Sequence, residues 1–273
     1  PTWPASSKFG LHHALVDGDI AYGAWRDAGL VVMDVADRSS PKLIKHHNWS
    51  PPFQGGTHNC LPLPDRDLLV VLDEAVLDDY EDGRKYIWIF DVQRQRHHPI
   101  VVADGYDGGP FFSPDGKRLC YRSDRRGDDR LQLFIADLAF DSDGAPTLVA
   151  EHQITDDSHV NWAPFWHPSG KYLVYATSAL GHDNYEVFAI EADTTRPPAE
   201  LRSRRVTHAA GADVLPVFNR EGNLMMWTAQ RGIMAAGENR PSSQIWIAEV
   251  VPGGLDDPET FFANAEKGEA PKQ

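Results

Sequence analysis

The chain has 273 residues, a formal charge of −14 and a pI near 5.2, with 41% hydrophobic and 10% aromatic residues. That is a globular composition, long enough to bury a full core as one large all-β domain or two smaller ones. The acidic balance excludes nucleic acid as a partner, since phosphate binding needs a basic stripe, and no run of 18 apolar residues offers a membrane insertion.

The chain opens on "PTWPASS", without an initiator methionine or signal peptide, and so reads as processed or trimmed, with its compartment left open. "GLHHALV" then brings His12 and His13, followed by the turn "VDGD" (16–19), the apolar run "IAYGAW" (20–25) and "GLVVMD", closed by Asp34. A polar "KLIKHH" follows. The same order returns with "THNCLP", the turn "PDRD" (64–67), "LLVVL", "YIWIFD" (Asp91) and "PIVVAD". It returns with "DGGPFF", "PDGK" (114–117), "RLCYRS", "LFIAD" (Asp137) and "TLVAEH". It returns again with "NWAPFW", "PSGK" (168–171), "YLVYATS", "VFAIE" (Glu191) and "LRSRRVTH". The last copy has "DVLPVF", "REGN" (220–223), "NLMMWTA" and "IWIAE" (Glu249), then a tail from 252 to 273. The turns stand 48, 50, 54 and 52 residues apart, and their Asp, Gly and Asn supply the positive φ of a hairpin.

A strand-rich period near 50 residues belongs to β-propeller blades. The expected fold is all-β, a single β-propeller domain over 1–273 with five four-stranded blades, six being the alternative. The fourth strands are polar, as edge strands facing solvent should be. The fifth unit lacks a fourth strand, and residues 1–9 or part of 251–264 are expected to complete it. Cys60 and Cys120 sit in apolar runs without metal-type spacing and read as two buried free thiols, a disulfide being the alternative.

Residues 104–251, above all "PFFSPDGKRLCYRSDRRG", resemble the TolB-type propeller repeat. "PFWHPSGKYLVYATS" and "PVFNREGNLMMWTAQRG" depart from it at the serine and aspartate of the turn. Residues 7–100, through "IAYGAWRDAGLVVMDVADRSSP" and the looser "LLVVLDEAV…KYIWIFDV", resemble LVIVD-type propeller repeats. Two dialects in one chain imply a composite of propeller fragments, natural or engineered, joined near 95–105, with one diverged family as the alternative. The TolB resemblance implies a protein partner and a periplasmic or secreted location; without it, the cytoplasm is expected. Neither resemblance names a chemistry. No G-x-S-x-G elbow is present.

Counting three residues back from Pro62, Pro110, Pro164 and Pro216 gives Asn59, Asp107, Asn161 and Asp213, one polar residue at the start of each inner strand. His58 adjoins Asn59, and His12 and His13 hold the matching place in the first blade. This set is the expected binding site for a small polar ligand or protein. His58, Asp107 and Asp213 are the candidate ligands of one divalent cation, calcium if oxygen donors dominate, zinc or manganese if histidines do. The plainer alternative is that these residues cap backbone groups or hold channel water. Second-strand ends add Arg26 and His182, which with His58 are candidates for acid–base or anion-binding roles. His46–His47 and His97–His98 are assigned to outer strands, His167 to the opposite end of the blade, and the acidic run 77–85 to an exposed connection. Two functions follow as expectations: a scaffold that binds without turnover, and a metal-assisted lyase or hydrolase of a sugar acid or ester.

Overall fold

A computed structural model describes residues 9–48, 56–63, 68–73, 87–91, 94, 96–234, 237 and 241–263. The acidic run 77–85 and the turn at 64–67 lie outside these residues. The chain divides into two compact units, residues 1–110 with 138–149, and residues 111–137 with 150–273.

In the first unit, β1 (Phe9–Asp17), β2 (Ile20–Arg26), β3 (Leu30–Asp34) and β4 (Lys42–His47) form one antiparallel group. A second group contains β5 (Thr57–Leu63), β6 (Leu68–Asp73), β7 (Ile87–Asp91) and β8 (Arg96–Val101). A single residue pair, Arg26 with Thr57, joins the ladders of β2 and β5, so the eight strands are two blades rather than one continuous sheet. Ala24, Leu30, Cys60 and Val71 form the shared core, with Tyr22, Val32 and Leu69 packed against it. β4 is exposed along nearly its whole length, as its polar sequence predicts.

A third group runs through β9 (Asp107–Phe112), β10 (Arg118–Ser123), β11 (Gln132–Phe140) and β12 (Pro146–Gln153). In the second unit, β13 (Asn161–Trp166), β14 (Tyr172–Thr177), β15 (Glu186–Glu191) and β16 (Ser203–Arg205) form the fourth. β17 (Asp213–Phe218), β18 (Leu224–Ala229) and β19 (Gln244–Glu249) form the last. Every residue of β14 and β15 is buried. Leu173 and Tyr175 enter one cluster with Cys120, Leu133 and Ile135, while Tyr172 and Val174 enter another with Phe218, Met225 and Trp227. Successive side chains of a strand point to opposite faces, so this blade is covered on both.

The fifth group has three strands among the described residues. Residues 251–263, expected to contribute a strand, instead form turns and the short helix α1 (Pro258–Ala263). Phe262 of α1 enters the core beside Tyr172, whose hydroxyl donates to the Leu255 carbonyl at 2.6 Å. Phe9, the last residue of the other segment expected to close that blade, pairs with Arg26 in the first blade; residues 1–8 lie outside the described set. Both cysteines are buried and free.

The expected turn glycines Gly18, Gly116, Gly170 and Gly222 all take φ between 58° and 73°. The residue opening each turn varies without harm because its role is to accept a backbone N–H. Ser113 Oγ accepts from Arg118 N at 2.9 Å, Asn219 Oδ1 from Leu224 N at 2.9 Å, and His167 Nδ1 from Ser169 N at 3.2 Å. The His167 ring also stacks on Tyr172 at 4.5 Å and meets Phe218 edge-on.

A second positive-φ position recurs where no turn exists. Gly109, Ala163 and Leu215, each just before the inner-strand proline, have φ of 60°, 51° and 56°. In β13 and β17 this position falls within a register shift that gives the inner strand one extra residue. A left-handed conformation costs an L-residue about 1–2 kcal/mol, more when it is β-branched. Ala163→Val should therefore lower stability by at least about 1 kcal/mol, and Ala163→Gly should not lower it. Urea unfolding of the two variants measures the difference.

Burial pushes the His167 pKa below its ordinary 6.5, with a backbone contact to Gly222 and the charge of Asp256 acting the other way. The unfolded chain then binds more protons than the folded one below that value. Stability from this residue is complete above about pH 7 and falls as pH drops through about 6.5. His167→Asn, which adopts the residue of the equivalent position 219, should flatten the slope of stability against pH between about 7 and 5.

Candidate functional site

The residues at the starts of the inner strands are buried. Asp107, Asn161 and Asp213 have no exposed surface, and Asn59 is 2% exposed. Most have visible structural duties. Asn161 Nδ2 donates to Gln132 Oε1 at 3.2 Å and Asp157 Oδ1 at 3.0 Å. Asp213 forms an ion pair with Arg231, and its backbone N–H donates to the Tyr185 carbonyl at 2.8 Å. Asn59 Nδ2 donates to the Pro110 carbonyl at 3.1 Å. By register, Thr57 rather than Asn59 takes the place of Asn161 and Asp213, because Thr57 faces the last residue of β6 as Asn161 faces Thr177 and Asp213 faces Ala229.

The first unit assembles something different. His12 and His13 from β1 and His58 from β5 bring one ligand-capable atom each to within 4.8 Å of one another. It is the one such group of three or more His, Cys, Asp or Glu side chains among the described residues. His58 is buried, while His12 and His13 are partly buried. His12 Nδ1 lies 2.7 Å from His13 Nδ1 and 3.2 Å from the His58 carbonyl oxygen, and the three ring centroids are 4.4–5.1 Å apart. Of the expected metal set, His58 thus joins two histidines, while Asp213 is taken up by Arg231.

Backbone irregularity makes this possible. In a regular strand His12 and His13 would point to opposite faces. Between Phe9 and His13, however, β1 carries two more residues than the β2 segment it pairs with. In β5, His58 is itself the extra residue between the pairs Thr57–Asp73 and Asn59–Leu72. Such bulges re-aim side chains. Arg26 ends β2 between these strands, its backbone paired with both Phe9 and Thr57, and takes φ 49° at the head of a turn closed by Gly29 N–H donating to its carbonyl.

His182 lies in the second unit, exposed, with Nδ1 2.9 Å from the Tyr185 hydroxyl oxygen. His46 is exposed on β4 and binds the Ala28 carbonyl, and His97 and His98 lie in β8. Sequence reasoning missed a buried carboxylate there. Glu186 has no exposed surface and is held by Arg205 and by the Thr207 hydroxyl, each at 2.5 Å. Burial nevertheless raises its pKa. Arg205, Arg204 and Arg231 line a cleft of about 550 Å³ with Trp227 and Phe261. Arg205→Met leaves Glu186 buried without its guanidinium. Because Arg205 is 21% exposed, the loss should sit at the lower end of the about 3–5 kcal/mol typical of breaking a buried pair, read from the urea midpoint.

No protein-family model and no curated protein sequence matches the chain. Solved structures do. A protein described as a TolB of Agrobacterium tumefaciens aligns with a TM-score of 0.58 at 17% identity, over 90% of this chain and 79% of that one. Hydrazine synthase of Kuenenia stuttgartiensis aligns at 0.51 and 16%, over 91% and 65%. The β-propeller domain of Cps50 (Swd1) from Myceliophteria thermophila aligns at 0.50 and 11%, over 88% and 69%. With the blade-like strand groups, these likenesses define the fold as a β-propeller, shared with TolB-type and other propellers. No helix among the described residues is long and apolar enough to cross a membrane.

Proposed function

We propose that the chain is a propeller scaffold that binds a carboxylate-bearing ligand, either a small polar molecule or the acidic segment of a partner protein, without turning it over. The observation that carries this reading is the place in the first unit where the partly exposed His12 and His13 meet His58 and where Arg26, also partly exposed, pairs by its backbone with Thr57. Cationic and donor groups that reach solvent can meet an anion; the fully buried Asn161 and Asp213 support the blades instead. The propeller fold is consistent with a binding role. We read the two repeat dialects as LVIVD-like over about 7–100 and TolB-like over about 104–251, joined as a composite. A TolB-like origin favours the periplasm or a secreted location.

A second reading is supported by the three histidines: a metal-assisted lyase or hydrolase of a sugar acid or ester, in which a cation polarises the carboxylate or activates water. Calorimetric titration with digalacturonate methyl ester, with digalacturonate and with an acidic peptide, followed by chromatography of the recovered probes, separates the two. The scaffold predicts saturable binding by one probe, weakened about tenfold by Arg26→Ala, with the probe recovered intact. A cleaved or unsaturated product favours the enzyme. Heat unchanged by Arg26→Ala removes this place as the site.

A further inference from the structure

We infer that His12, His13 and His58 form a binding site for a late first-row divalent cation, zinc being the one the donors fit best. This goes beyond the scaffold reading and requires neither an acid ligand nor turnover.

The donor set decides the metal. Three imidazoles and no carboxylate make up the group. Calcium takes six to eight oxygen donors and is not served by it. Imidazole suits zinc, copper and nickel, and manganese lies at the weak end of the divalent series for such ligands. Three protein nitrogens also match the sites in which zinc keeps its fourth position for water or an exchangeable ligand.

The distances are close to what an ion needs. With Zn–N bonds of about 2.0–2.1 Å, tetrahedral nitrogens stand about 3.3–3.4 Å apart. The three ligand atoms lie within 4.8 Å of one another, and the His12 and His13 Nδ1 atoms are 2.7 Å apart. Side-chain rotations of about an ångström close one gap and open the other, with no strand displaced. The bond between the two Nδ1 atoms needs one of them to carry a proton and the other to be bare. A cation replaces that single shared proton with bonds to both rings.

The backbone supplies the second line of argument. The inner strands β13 and β17 place their irregularity just before the proline, at Ala163 and Leu215. β5 has its extra residue three positions earlier, relative to Pro62, and that residue is His58. β1 carries its own two extra residues immediately before His13. Without these two displacements the three rings do not share one side. The register of both strands is therefore set where it brings imidazoles together.

The test uses the whole chain, stripped with a chelator, exchanged into metal-free buffer and titrated with Zn²⁺ against a chromophoric competitor. The expected result is one Zn²⁺ per chain, with affinity reduced about 100-fold or more in His58→Ala and in His13→Ala. His208→Ala, an exposed histidine of the second unit, should bind as the parent does. Calcium should not compete. Cobalt(II) added in place of zinc should show the intense visible bands of tetrahedral nitrogen coordination, lost in the same variants. His12→Gln and His58→Gln, checked by circular dichroism for retained fold, guard against loss through misfolding. Stoichiometric zinc that persists in all the variants, or no uptake by the parent chain, overturns the assignment.

Discussion

The structure depends on one requirement: a twisted four-stranded sheet with apolar residues on both faces has to be covered twice. β14 and β15 state it most clearly. Their residues are buried without exception, and alternate side chains feed two separate cores. A sheet of this kind cannot stand alone in water, since half of its apolar surface would remain exposed whichever face it packed. Repetition answers that requirement. The same strand order is written again and again because each copy supplies the cover for its neighbour.

The requirement also explains which positions tolerate change. The turn of the repeat opens with serine, histidine or asparagine, three residues of different size and charge. Each presents an acceptor atom to a backbone N–H, and the glycine three places on keeps its positive φ. His167 shows that the demand is for the acceptor, since its ring is large enough to fill the space against Tyr172 and Phe218 as well. At the same end of the blade, acids close the third strands, Glu191 lying opposite Tyr172 and Asp137 opposite Arg118, and bind nearby donors. Glu191 accepts from Arg202 and Arg196, and these bonds hold its carboxyl below the usual range although burial acts to raise it.

Much of this was legible in the sequence because it follows short-range rules. Turn glycines, the alternation of apolar residues and polar fourth strands all depend on neighbours a few positions away, and the strand boundaries fell close to the expected runs. What escaped depends on register. An alternating reading puts His12 and His13 on opposite faces, and nothing local announces that β1 carries two extra residues there. Counting back from Pro62 selected Asn59, because Pro62 stands five residues after Thr57 whereas Pro164 stands three after Asn161. Glu186 and Arg205 lie 19 residues apart, in a third strand and a three-residue fourth strand, so no spacing connects them. The helix at Pro258–Ala263 was hidden by its brevity: six residues carry too little periodicity to be seen, and Phe262 is placed by packing.

Irregularity in the inner strands therefore carries different weight in different blades. In β13 and β17 it falls on Ala163 and Leu215, whose side chains offer no chemistry, and the polar residues nearby are fully buried and held by their own chain. In those blades the strained position serves the geometry of the repeat. In β1 the extra residues adjoin His12 and His13, which remain partly open to solvent, and in β5 the extra residue is the buried His58 beside them. Asn161 and Asp213 have no exposed surface, and a ligand would first have to displace the Gln132, Asp157 or Arg231 groups bonded to them. The imidazoles of His12 and His13, partly open to solvent and in contact with each other, can exchange that contact for a ligand at lower cost. The same device, one or two residues too many in a strand, thus builds scaffold in one part of the chain and a place for chemistry in another.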